Sequence, residues 1–287
     1  MLGVALAREL WTRIETLHAV TYFAPESIAA AKSAGLRGFW MGYFGFRAAP
    51  LGAANAGVVE AAFANFAPKM VRRSIPDAWD FASPDHLISV RSDAAAGALR
   101  RLVPDVPRLA TEVNESLGHI VGAGTPLGRP LFAANRDVLP LGDPVAQLWQ
   151  HCTTLREHRG DGHVIALAAA GIDGCQAHQL LIAAQGLPIE VFRDNRGWSH
   201  DQWEDAAQRL RARGLLDALT LTGAGRRIHD EIERLTDALA YEPIAQTLSD
   251  TEIHHLIRSL TAAAIEVSSS GVLPFPNPMA LPSITAS

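Results

Sequence analysis

The chain has 287 residues, 48% of them hydrophobic and 19% charged, with a formal net charge of −5. That length and composition suit a globular protein of two domains or one large one, and the acidic balance argues against a broad nucleic-acid footprint while leaving room for a local basic patch. Its two cysteines, Cys152 and Cys175, exclude a disulfide framework, and no stretch reaches the roughly 18 uncharged apolar residues of a membrane span.

Helical signals dominate and strand-like alternation is almost absent. A first helix is predicted over 4–20. Pro25 and Glu26 open a second, which Gly35 closes as a C-terminal cap. A third spans 38–49 and ends at Pro50. A fourth spans 56–73, with Pro68 as a kink or break. Further helices follow at 84–102 and 108–121. Residues 122–142 are rich in Gly and Pro and read as a linker. Asp143 as N-cap and Pro144 at the first helical position restart the chain. That helix is predicted to end near Glu157, with HRGDGH (158–163) as a turn. Short helices over 163–170 and 174–185 meet at Gly171 with helix-turn-helix spacing. Ser199 caps a helix over 200–213. Residues 215–222 form the one credible β-hairpin, and a very short one. Helices over 223–240 and 249–268 precede a proline-rich, non-helical tail. The N-terminus lacks the apolar core of a signal peptide, so a reducing, cytoplasmic setting is expected.

One phrase occurs twice. At an offset of 136, Ala30, Ala34, Gly35, Gly38, Ala48 and Leu51 meet Ala166, Ala170, Gly171, Gly174, Ala184 and Leu187. A period this long is not a solenoid. The expected fold is therefore mainly α: two tandem winged-helix-like units, pseudo-duplicated, with one very short β-hairpin wing. Residues 1–121 form the N-terminal unit, degenerate in sequence. Residues 143–240 form the second winged-helix unit, and 241–287 a C-terminal helix and tail.

The stretch WSHDQWEDAAQRLRARGLLDALTLTGAGRRIHDEIE (198–233) resembles the recognition helix and wing of MarR-type winged-helix proteins, through RLRARGLL and LTGAGR. The wider chain resembles an actinobacterial helix-turn-helix family. The segments that carry this are HAVTYF (18–23), GFWMGYF (38–44), RAAPLG (47–52), LREHRGDGH (155–163), RGW (196–198), RGLL (213–216) and NPMALP (277–282). The resemblance implies a fold. A recognition helix inserts its N-terminal half into the major groove. Here that half carries Asp201, Glu204 and Asp205, which would face phosphates, and the hairpin 217–220 has no Lys or Arg. A winged helix used as scaffold is favoured over DNA binding.

Two constellations bear chemistry. Across 156–163, Arg156, Glu157, His158, Arg159, Asp161 and His163 are crowded together. His158, Asp161 and His163, with the distant His18, are candidate acid/base or metal-binding residues. The plainer reading is a capping turn in which Asp161 caps the following helix. Trp40, Tyr43 and Arg47 share one helical face and suit a flat, anionic or phenolic ligand. The plainer reading is that they are core, with Glu15 or Glu60 pairing Arg47. In the repeat register Tyr22 is equivalent to His158, and His18 lies one turn before Tyr22. Tyr22, Trp40, Tyr43, Arg47, Arg156 and Trp198 are the candidate ligand-binding residues. No GxSxG, GxGxxG or GxxxxGK[ST] is present, so no cofactor is assigned. The expected function is small-molecule binding, of an aromatic or anionic ligand, between two winged-helix-like units. The alternatives are an enzyme using the His/Asp cluster, in acid/base or metal- or haem-dependent chemistry, and a ligand-responsive transcription regulator. A homodimer is compatible with each.

Overall fold

The computed structural model describes residues 2–285 and is mainly helical. The first half comprises α1 (Leu2–His18), α2 (Val20–Phe23), α3 (Pro25–Ser33), α4 (Gly38–Ala48), α5 (Ala56–Ala62), α6 (Pro68–Arg72), α7 (Ala78–Phe81), α8 (Pro84–Leu102) and α9 (Val106–Ala123). Next come α10 (Pro130–Arg136), α11 (Pro144–Ala169), α12 (Gly174–Gln185), α13 (Ile189–Arg193) and α14 (His200–Ala212). A hairpin of β1 (Leu216–Asp217) and β2 (Thr220–Leu221) precedes α15 (Gly223–Thr247) and α16 (Asp250–Ser269). The strands pair antiparallel, Leu216 opposite Leu221. No single helix among the described residues is long and apolar enough to cross a membrane.

Local chemistry sets most boundaries. Asp143 accepts hydrogen bonds from the Val145 and Ala146 amides, with Pro144 next to it inside the helix. Ser199 with Gln202 and Asp173 with Gln176 form capping boxes. Gly35 and Gly171 both adopt left-handed φ, +88° and +63°, just past a helix end. The helix predicted over 56–73 is broken over 63–67, so α5 and α6 are separate.

The main correction concerns α11. HRGDGH is not a turn: the helix runs unbroken from Pro144 to Ala169. Each interior glycine costs about 1 kcal/mol relative to alanine, but tertiary contacts override that. Glu157, His158 and Asp161 are buried, and Arg156, Glu157 and Arg159 find charged partners on α1, α4 and α15. The charges that read as a capping turn are the inner faces of a central helix.

Three larger cores lie around that helix, beside a smaller one of Cys175, Phe192, Trp203 and Ala206. One, on α1, α8, α9, α11 and α16, holds Leu10, Leu17, Leu99, Leu117, Trp149 and Leu260. A second, around α4, holds Phe44, Phe63, Ile75, Leu87 and Leu131. A third ties the hairpin to α12, α14 and α15 through Leu180, Leu210, Leu216 and Ile232. Residues 122–142 contain α10, whose Leu131 and Phe132 are fully buried.

The loop 63–67 docks on the second half of the chain. The Ala67 amide donates to the Arg196 carbonyl at 2.9 Å, and the Trp198 indole to the Asn65 carbonyl at 3.2 Å. Gly174 allows this approach, because a Cβ there would lie 1.9 Å from the Ala64 carbonyl oxygen. Gly174→Ala is therefore expected to cost about 1–3 kcal/mol or more, read as a lower urea midpoint. An unchanged midpoint would show that the loop can withdraw.

Candidate functional site

Two chambers lie along α11, and Tyr43 and Arg47 line both. The first is a cavity of about 420 Å³ between α2, α3, α4 and α11. Its walls are mostly apolar, including Ile28, Leu36, Phe46 and Trp149. Ile28, Lys32 and Phe39, all exposed, frame its mouth.

The floor is polar and buried. Trp149, Thr153 and Glu157 recur every four residues, so α11 presents them on one stripe. Thr153 Oγ1 lies 2.9 Å from His18 Nδ1, and Tyr22 OH lies 2.8 Å from His18 Nε2. The Trp149 indole donates to the His18 carbonyl at 3.3 Å. Burial holds the His18 imidazole well below its ordinary range, and Arg156, Arg47 and Arg91 add to the effect. A neutral imidazole bonded to a phenol can relay a proton to a ligand in the cavity.

Arg47 grips Glu157 with two bonds, at 2.8 and 3.0 Å, and lies 4.1 Å over the Phe63 ring. Arg156 donates to Glu157 at 2.9 Å and pairs with Glu15 at 3.3 Å. Burial alone would raise the Glu157 carboxyl, but Arg156 and Arg47 hold it down at about 2. Burial would likewise raise the Tyr43 phenol, yet Arg47, Arg196 and Arg156 bring it below its ordinary value. Arg91, from α8, donates to the Phe46 carbonyl at 2.7 Å, Asn135 at 2.9 Å and Gln150 at 3.1 Å. It has no carboxylate partner, and its Nε bonds nothing. Burial lowers it to about 10, so it stays charged at neutral pH. Three guanidiniums, Arg47, Arg91 and Arg156, thus face two carboxylates, Glu15 and Glu157.

The second chamber, about 220 Å³, is polar. It lies between α1, the loop 63–67, α11, α12, α15 and residues 278–280. Arg156, Arg159 and His163 reach it from a second face of α11, and Arg196 from the segment before α14.

Of the predicted residues, His18, Tyr22, Tyr43 and Arg47 meet at the first chamber, and Arg156 and His163 line the second. Trp40 packs against Phe39, Tyr43, Phe44 and Phe66 and lines neither. Trp198 anchors to the Asn65 carbonyl, outside both. His158 and His163 do not share a cavity: five helical residues separate them by about 140°. His158 lies edge-on to Phe132 at 4.7 Å, while His163 bonds Thr236 at 3.1 Å. Asp161 does not cap its own helix. It accepts the Phe132 amide at 2.9 Å and caps α10. The partner of Arg47 is neither Glu15 nor Glu60, which pairs with Arg72, but Glu157. Among the described residues no three His, Cys, Asp or Glu side chains are grouped to hold a metal.

Arg91, Trp149 and Thr153 escape the sequence reading. The stripe 149–153–157 lies within the helix predicted up to Glu157, but nothing local marks Trp149 and Thr153 as facing a cavity rather than a core. Arg91 had a signal: it falls on the same helical face as Leu87, Ala95 and Leu99, all buried.

A family model described as a helix-turn-helix family matches residues 7–274. No curated protein and no solved structure matches the chain. Six of the segments that carry the resemblance meet at the chambers. HAVTYF brings His18 and Tyr22, GFWMGYF brings Tyr43, and RAAPLG brings Arg47. LREHRGDGH brings Arg156, Glu157, Arg159 and His163, RGW brings Arg196, and NPMALP brings Pro278.

Proposed function

Because the chain belongs to this helix-turn-helix family, we propose that it is a small-molecule-binding member of it, built as two tandem winged-helix-like units of which the second is MarR-like. The ligand is flat and largely apolar, carries an anionic group, and sits in the cavity between α4 and α11. The observation that carries this is the apolar cavity of about 420 Å³ with the charged, carboxylate-free Arg91 in its wall. Ligand pockets run from about 300 to 1,000 Å³, mainly apolar with a few convergent polar groups. A buried guanidinium without a counterion is costly until an anion reaches it.

In this reading α14 is scaffold. Its exposed face offers Asp201, Glu204 and Asp205. Arg209 is taken up by Asp173 and Asp205, at 2.9 and 3.1 Å, and Arg211 by Glu204. The second reading, a ligand-responsive DNA-binding regulator, is favoured by the family itself. Fluorescence anisotropy with duplex DNA at low salt separates the two, since phosphate contacts are strongest there.

The binding test uses benzoate and salicylate beside benzyl alcohol, followed by thermal shift and calorimetry. The acids are expected to bind at least about tenfold tighter than the alcohol, as a charge-assisted bond requires. Lys32→Glu, exposed at the mouth, is expected to weaken the acids and leave the alcohol unchanged. Equal affinities for acid and alcohol, or binding of neither, would overturn the reading.

A further inference from the structure

Nine buried side-chain N or O atoms among the described residues lack a hydrogen-bond partner. Four of them belong to residues lining the polar chamber: Asn65 Oδ1, Arg159 Nε, Arg196 Nε and His229 Nε2. Buried polar groups are normally satisfied, so several orphans around one void mark a place where a polar partner belongs. Arg196 is the strongest marker. It is only 9% exposed, bonds the Pro278 carbonyl, lies 4.4 Å over Phe66, and has no carboxylate partner.

The carboxylates of the chamber are already engaged. Glu15 pairs with Arg156, and Glu233 with Arg8 at 2.8 Å. Arg159 leans on Asp237 through Nη2 at 2.9 Å and leaves Nε free. His229 donates Nδ1–H toward Asp230, at 3.1 Å, and its buried Nε2 has no partner. Asn65 can present its amide N–H by turning its carboxamide.

We propose that this polar chamber is a second binding site, separate from the apolar cavity, for a small oxyanion of the phosphate or carboxylate type held chiefly by Arg196 and Arg159. A tetrahedral oxyanion suits donors that arrive from several elements, because its oxygens accept from several directions. The site does not depend on the apolar cavity being occupied. Residues 278–280 form one wall, and Asn277 holds that segment: its amide donates to the Leu281 carbonyl at 2.9 Å and accepts the Met279 and Leu281 amides at 3.1 Å each. Arg196 donates to the same segment, so an anion at Arg196 is covered by the tail.

The probe is inorganic phosphate, with acetate as the carboxylate arm and chloride as the ionic-strength control, titrated calorimetrically into the full chain. Saturable phosphate or acetate binding with a Kd of about 1 mM or tighter is expected, and the tighter arm identifies the head group. Arg196→Gln is expected to weaken it about tenfold or more. Asn65→Asp keeps the side-chain shape and leaves the Asn65 backbone carbonyl bonded to Trp198 and His178. It places a carboxylate in the chamber and is expected to abolish binding, so it decides the matter if Arg196→Gln fails to fold. Lys32→Glu, at the other chamber's mouth, is expected to weaken the aromatic acids of the apolar cavity but to leave phosphate binding unchanged. No binding beyond the chloride control, or affinity unchanged in folded Asn65→Asp, would overturn the site.

Discussion

Replacing Glu157 with glutamine is expected to cost about 3–5 kcal/mol of folding stability, among the largest effects open to a single side chain. One carboxylate serves two guanidiniums, bonding Arg47 at 2.8 and 3.0 Å and Arg156 at 2.9 Å. It is 1% exposed. Glutamine keeps the volume and loses the charge, so two buried cations are left facing each other, with only Glu15 nearby. Urea unfolding at neutral pH measures the loss. The double variant Arg47→Met/Glu157→Gln removes one cation together with the anion, and is expected to recover part of it. Non-additivity is the signature, because the two residues touch. A loss under about 1 kcal/mol for Glu157→Gln would show that water screens the network.

The second large effect is acid lability beginning near neutrality. Burial lowers His151 and His163 to about 4 and His158 and His178 to about 3, and holds His18 well below its ordinary value. The unfolded value is 6.5 for each. Between these limits the unfolded chain binds the extra protons, so stability falls as pH falls. The contribution is complete above 6.5 and drains away toward the folded values. Each histidine adds up to about 1.4 kcal/mol per pH unit in that window. Asp161 opposes them: burial and the Glu157 charge raise it to about 7, so its share is complete below 3.8 and is lost as pH rises through 7. One opposing group does not offset five. Glu157, at about 2 against 4.5 unfolded, adds its own loss below 4.5. With total stability of about 5–15 kcal/mol, cooperative unfolding is expected by about pH 5, in near-ultraviolet circular dichroism or in urea midpoints from pH 8 downward. A flat profile between pH 7 and 5 would mean that these histidines are hydrated in solution.

Local rules recovered most elements, because caps, prolines and glycines act over a few residues. Asp143 and Ser199 cap where the sequence predicts, and Thr222 and Ser249 cap the two helices that follow. The pairing of His18 with Tyr22 was equally legible, since four helical residues bring them together whatever the rest does. Arg47, set in an aromatic face, calls for a partner by its charge alone, but that partner lies 110 residues away, and nothing in either segment names the other. The long element that departs most from expectation, α11, does so for the same reason, while α15 runs to Thr247 rather than 240. The glycines and charges of α11 argue locally for a turn. Their compensation comes from Glu15, Arg47, Asp237 and the α10 amides, none of them sequence neighbours.

The unbroken α11 also limits how this chain can change length. From Trp149 to Leu167 it runs about 27 Å past one chamber, then the other, and into the core of the hairpin unit. Removing one residue from the middle of that run would turn everything after it by about 100° and draw it back about 1.5 Å. The residues meant for the polar chamber would swing into packed helices, and the hairpin unit would be reoriented as a block. Loops such as 137–143 can absorb an insertion or a deletion, whereas between 149 and 167 substitutions are the only edits that preserve both chambers.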